Sequence, residues 1–141
     1  MTAAHVLPAH LLIAAGAAVL AILGVLHLLF TYLGPRLQPR DPAVRAAMEQ
    51  ATLVITRETT VGRAVRGFNA SHSMGLITFG VVYGYLALAR PQVLADSAFL
   101  LALGLGVHLA YVVLARRYFF RVPLRGAALA GLLYAAGWWL L

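Results

Sequence analysis

Four long apolar runs constrain this chain more than anything else in it. They lie near Leu11 to Leu33, Phe68 to Ala89, Ser97 to Ala115 and Leu124 to Leu141, each close to the ~20 residues that carry a helix across the hydrocarbon of a bilayer. Lipid offers no partner to a backbone N–H or C=O, so a single run of that length crosses as a helix. The expected fold is all-α: an integral membrane four-helix bundle, one domain over residues 1 to 141. Composition agrees, because 62% hydrophobic against 11% charged residues is far from the balance of a soluble domain. The first run is too long and wrongly flanked for a cleaved signal peptide, so a retained span is expected.

The arginines give the orientation. Arg36, Arg40, Arg45, Arg57, Arg63 and Arg66 fall between runs one and two, and Arg116, Arg117, Arg121 and Arg125 between runs three and four. Only Arg90 lies in the second connection. The positive-inside bias thus predicts a multi-pass protein of the bacterial cytoplasmic membrane with the N- and C-termini extracytoplasmic. It also accounts for the net charge of +7 without a nucleic-acid partner.

The first connection is long enough to hold structure. Asp41 before Pro42 is a helix-start signal, since the carboxylate can cap free amides and proline suits the first helical position. An amphipathic cytoplasmic helix is predicted from about Pro42 to Thr60, with Val44, Met48, Ala51 and Ile55 on one face. It would lie on the cytoplasmic side or pack across the bundle as a lid. Glu49 and Glu58 would fall near its ends.

Polar residues inside the runs are the functional candidates. His27, His72 and His108 come from three different spans and sit at similar depth, on the order of 6 to 11 Å below the cytoplasmic boundary at the helical rise. Ionisable groups at such depth are costly and tend to face a bundle interior or a watery cavity. Gly24 and Thr31 share a stripe with His27, Gly104 and Tyr111 share one with His108, and Asn69 shares one with His72, Phe79 and Tyr83. Gly80 and Gly84 form a small-xxx-small pair for helix packing.

A shared histidine site suits several ligands. Three imidazoles can hold a metal ion, with Glu49 or Glu58 as fourth ligand or base. Two of them could instead be axial ligands of a haem. Without metal, Arg63 and Arg66 at the start of the second span suit the anionic headgroup of a lipid or a quinone-like molecule. Asn69, Ser71, Ser73, Thr31 and Tyr111 would form the surrounding shell that orients the imidazoles. The plainer alternative is that the histidines only pack, and that Ser71 and Ser73 bond their own helix. His5 and His10 are expected to be solvated near the outer boundary, with Trp138, Trp139 and the Tyr118-Phe119-Phe120 cluster anchoring the two interfaces.

Some chemistry is excluded and some left unassigned. The chain has no cysteine, so disulfides, thiolate zinc sites and Fe–S clusters are ruled out. It holds four acidic residues and no discernible nucleophile triad or phosphate loop, so no reaction is assigned. Spans one and three both place a histidine nine residues before an arginine, His27 to Arg36 and His108 to Arg117, which suggests a duplicated helical hairpin.

The second span reads Gly67-Phe68-Asn69-Ala70-Ser71-His72, then Gly75 and Phe79-Gly80. This GFN-x-SH-x-x-G run, with His27 in the first span, resembles a group of small uncharacterised bacterial four-helix membrane proteins. The resemblance implies the four-helix fold and that Asn69, Ser71 and His72 act together. Two functional classes follow from the sequence: a membrane protein that binds metal, haem or a lipid-like ligand, with membrane oxidoreductase as its catalytic form, or a non-catalytic accessory subunit or lipid-binding scaffold, as a homo-oligomer or within a larger complex.

Overall fold

The computed structural model describes residues 3–141, with side chains from residue 8 onward. The elements in order are α1 (Ala3–Tyr32), α2 (Pro42–Gln50), β1 (Thr52–Leu53), β2 (Thr56–Thr60), α3 (Val61–Ala89), α4 (Pro91–Ala95), α5 (Ala98–Tyr118) and α6 (Arg121–Trp139). Three segments, Pro8–Tyr32, Val61–Ala89 and Ala98–Tyr118, are long and apolar enough to cross a membrane. The chain is that of a largely helical membrane protein.

It divides into two compact units. One holds residues 1–23 and 76–141, the other residues 24–75. In the first, each long helix buries a narrow seam at steps of three and four residues. On α1 the seam is Ala9, Ile13, Ala17 and Leu20; on α3 it is Leu76, Gly80, Tyr83 and Ala87. On α5 it is Leu101, Gly104, His108 and Ala115, and on α6 Ala127, Ala130, Tyr134 and Gly137. Outside the seams, residues such as Ile22, Val81, Val82, Leu109 and Val113 stay exposed, as lipid-facing positions should.

Small residues set how closely the helices approach. A Cβ on Gly80 would lie 2.5 Å from the Ala17 carbonyl oxygen and 2.6 Å from the Ala21 Cβ. Gly16 fits the same way against the Ala130 carbonyl, and Gly137 against the Ala9 carbonyl. Such backbone contact is how helices hold together in lipid, where apolar burial gives little drive. Gly84 corrects the expected small-xxx-small pair, because a Cβ there would meet nothing within 4 Å.

Tyrosines add polar ties within this unit. Tyr134 is fully buried and donates to the Leu101 carbonyl at 3.1 Å, while Tyr83 donates to the Leu100 carbonyl at 2.8 Å. A phenol left unpaired at such a site would carry the cost of a buried, unsatisfied hydroxyl. The Tyr134 hydroxyl also fills the space a side chain on Gly104 would need.

The second unit departs most from the sequence expectation. Asp41 caps α2 as foreseen, its carboxylate accepting from the Ala43 amide at 2.8 Å, with Pro42 in the first turn. The helix stops at Gln50 instead of running to Thr60. Thr52, Val54, Ile55, Thr56, Thr59 and Thr60 follow, and β-branched side chains favour an extended backbone over a helix. They form an antiparallel hairpin with Leu53 opposite Thr56, an exception to the all-α prediction. Val54 and Ile55 stand fully exposed at its turn, 110% and 89% accessible, so Ile55 is not on a buried helix face.

The third helix also starts early, at Val61 rather than Phe68. Thr60 caps it by accepting from the Arg63 amide at 3.3 Å. Arg63 and Arg66 therefore sit within the helix and not before it.

The glycine contacts generate a paired prediction. Gly80→Ala should destabilise the protein by about 1–3 kcal/mol, the usual cost of overpacking. Gly84→Ala should leave stability unchanged or raise it by up to about 1 kcal/mol through helix propensity. Thermal unfolding of both variants in detergent, followed by circular dichroism, checks this.

Candidate functional site

The second unit contains the candidate site. A cleft there is lined by Leu37, Gln38, Pro39, Arg45, Met48, Glu49, Gly62, Val65, Arg66 and Asn69, together with Thr31. Three segments build it: the stretch after α1, the capped helix α2 and the first turns of α3. Proline at 39 and the Asp41 cap turn the chain so that Arg45 and Glu49, one turn apart on α2, both reach the cleft.

One ion pair organises the wall. Arg66 grips both carboxylate oxygens of Glu49, Nη1 to Oε1 and Nη2 to Oε2, the second at 3.1 Å. The carboxylate lies against the bare Cα of Gly62, where a Cβ would come within 2.5 Å of Oε1. The hydrogen bond from Arg66 holds the Glu49 carboxyl below its ordinary range. Arg45 donates to the Pro39 carbonyl at 3.3 Å and has no carboxylate partner among the described residues.

Two histidines lie just beyond this rim. The rings of His27 and His72 meet edge to face, centroids 5.2 Å apart and planes at 77°. Thr31 follows His27 by four residues on α1, and Asn69 precedes His72 by three on α3. Both rim residues are therefore about one helical turn, roughly 5 Å, from their histidine. Because α1 runs towards the cleft and α3 away from it, both imidazoles lie on the same side, beneath the rim. The Nε2 of His27 is buried without a hydrogen bond.

The hydroxyls nearby bond backbone. Thr31 donates to the His27 carbonyl at 2.8 Å, Ser73 to the Asn69 carbonyl at 2.8 Å and Ser71 to the Phe68 carbonyl at 3.0 Å. Each satisfies its own helix instead of orienting an imidazole.

His108 has a different setting, in the first unit. It is fully buried between the rings of Phe79 and Tyr134, with centroids at 5.3 and 4.7 Å. Its Nδ1 is 2.7 Å from the Gly104 carbonyl oxygen, which can only accept, so that nitrogen carries the proton. Its Nε2 makes no hydrogen bond of sound geometry, although the backbone of Gly16 approaches the ring. Tyr111 is half-buried beside Leu20, Leu76 and Ala130 in the same unit.

The remaining expectations divide. Arg63 does not line the cleft, whereas Arg66 does. Glu58 is exposed on β2, its amide bonded to the Thr56 hydroxyl, and is away from the lining. His10 is buried at 6% exposure with Nδ1 unpaired, which corrects its expected solvation: α1 begins at Ala3, so His10 lies two turns inside the helix, next to the seam. The side chain of His5 is outside the described residues. Among those described, no three His, Asp or Glu side chains gather closely enough to hold a metal ion. A haem plane between His27 and His72 would need the rings parted, because edge-to-face contact leaves no gap for a macrocycle.

Sequence reading missed Gln38, Arg45 and Gly62 as lining residues. Arg45 is one of many arginines in a connection that topology alone makes basic, and Gly62 stands out only because α3 begins at Val61. Compared with protein-family models, curated proteins and solved structures, the chain gives no match.

The ion pair carries a pH prediction. A carboxyl whose folded pKa is depressed stabilises the fold above the unfolded pKa and loses that contribution as pH falls through the folded value. Glu49 should thus titrate below the ordinary glutamate range in the wild type and move back towards it in Arg66→Gln. Carboxyl carbon chemical shifts followed through an acid titration read this directly, and added salt should narrow the difference because the pair is exposed.

Proposed function

We propose that the protein is a four-helix membrane bundle that binds an amphiphilic, lipid-like ligand at its cytoplasmic side. The polar headgroup would lie in the cleft, and the His27–His72 pair would form the floor beneath it. The fourth crossing would be α6, whose seam matches those of the other three helices in spacing. The arginine distribution supports a bacterial cytoplasmic membrane location, both termini outside, and α2 with its hairpin in the cytoplasm.

One observation carries the reading: two imidazoles in ring contact lie one turn below Thr31 and Asn69, which themselves line the cleft. An unpaired ring nitrogen on His27 adds a hydrogen-bonding atom that a ligand could satisfy. A neutral imidazole has one nitrogen that donates and one that accepts a hydrogen bond, so the floor suits polar headgroups, quinone-like ones included. That would make a redox role in the membrane chemically coherent. The metal reading draws less support, since among the described residues no third His, Asp or Glu joins the pair, and the haem reading less because the two rings are in edge-to-face contact.

A second reading has its own observation. The exposed Val54–Ile55 turn suits a non-catalytic accessory subunit that docks onto a larger membrane complex.

The ligand reading is tested on full-length protein purified in mild detergent, by mass spectrometry of the organic extract. Wild type should retain an amphiphile near one equivalent, and His27→Ala with His72→Ala should lose most of it while keeping its helical circular dichroism. Equal retention in wild type and variant sinks the idea, as does a stoichiometric metal or a haem absorption band that vanishes in the variant. Orientation is checked separately. The chain has no cysteine, so Ile55→Cys gives a single thiol, which should resist membrane-impermeant maleimide in intact cells and react after lysis.

A further inference from the structure

The cleft has a charge imbalance. Its lining contains Arg45, Arg66 and one carboxylate, Glu49, with the amide side chains of Gln38 and Asn69 as further donors. Glu49 engages Arg66 alone, which leaves Arg45 with a single neutral hydrogen bond, to the Pro39 carbonyl. A guanidinium offers five N–H groups in a fixed fork, so most of the Arg45 capacity is open. A donor-rich hollow with surplus positive charge selects an anion.

Glu49 shows where that anion would sit. It meets Arg66 in the two-point geometry that carboxylates and phosphates share. It belongs to the protein, it is seated against Gly62, and it does not satisfy Arg45. The two side chains are 42% and 45% exposed, so parting them costs little in water. A phosphate placed between Arg45 and Arg66 could bond both, which the Glu49 carboxylate does not.

We propose that this cleft is a site for an anionic headgroup, phosphate or carboxylate, and that Glu49 is an internal stand-in which the ligand displaces from Arg66. The inference rests on the amphiphile reading above and adds the charge class of the ligand. Its source is either an anionic lipid or a free anion of the same chemistry. Arg66 and Arg45 bind the headgroup directly; Glu49 competes with it.

Binding to the full-length protein in an uncharged detergent decides the matter, with three probes: dioctanoyl phosphatidate, dioctanoylglycerol and inorganic phosphate. Phosphatidate should bind about tenfold tighter than dioctanoylglycerol, the worth of one charge-assisted hydrogen bond. Arg45→Gln and Arg66→Gln should each erase most of that preference, weakening phosphatidate far more than dioctanoylglycerol. Glu49→Gln should tighten phosphatidate several-fold and leave dioctanoylglycerol unchanged. Competition by inorganic phosphate at similar concentration identifies a free anion as ligand, and its failure to compete identifies the lipid. Equal binding of phosphatidate and dioctanoylglycerol by wild type overturns the anion site and leaves the amphiphile reading standing. If neither lipid binds, both fall. If Glu49→Gln weakens phosphatidate as Arg66→Gln does, Glu49 positions Arg66 and the stand-in role is wrong.

Discussion

Backbone-to-backbone approach at a few small residues is the constraint from which the rest of the membrane unit follows. In lipid an apolar side chain gains little by moving from tail to neighbouring helix, so packing depends on how closely helices can come. Gly16, Gly80 and Gly137 each bring a bare Cα against a carbonyl of another helix. With that spacing set, only one side chain per turn fits in the seam, which is why burial recurs at steps of three and four while the flanks remain oily and exposed. The larger seam residues then need small neighbours: Tyr134 reaches the α5 carbonyls because Gly104 has no side chain.

Much of the helical content was legible because hydropathy and helicity coincide inside a bilayer. They separate at its edge. The second apolar run begins at Phe68, yet the backbone of α3 becomes helical at Val61, where Thr60 caps it. Hydropathy marks where lipid starts; caps mark where the helix starts. The α2 segment shows the converse. Its N-terminus was readable from Asp41 and Pro42, which act locally, but its end was hidden by an apolar period running on through Ile55. That period was coincidental, and the run of β-branched residues from Thr52 onward was the better guide.

The histidines illustrate a different limit. Depth along a span is one coordinate, and it can be counted from the sequence. Which way each side chain points around its helix needs a known partner helix, and a lone sequence does not supply one. His108 falls on the buried seam of α5 and is held by Gly104, Phe79 and Tyr134. His27 and His72 face each other in ring contact. The polar stretch RGFNASHSMG thus holds two kinds of residue that its composition blends: Ser71 and Ser73 satisfy their own helix, while Arg66 and Asn69 line the cleft and His72 meets the ring of His27.

That division also separates the arginines. Arginines in a connection between spans can serve topology alone, so their number says nothing about a ligand. Their position does. Arg63 and Arg66 are neighbours one turn apart on α3, but only Arg66 lines the cleft, and it is Arg66 that holds a carboxylate across it. Topology alone requires positive charge somewhere in the loop; it does not require a capped helix that brings Arg45 and Glu49 to the same hollow, or a glycine at 62 that lets the carboxylate sit flat against α3. With four acidic residues in the chain, holding one of them against an arginine in a polar hollow is more than charge balance needs. The two-point contact of Arg66 with that carboxylate is the geometry that a phosphate would share.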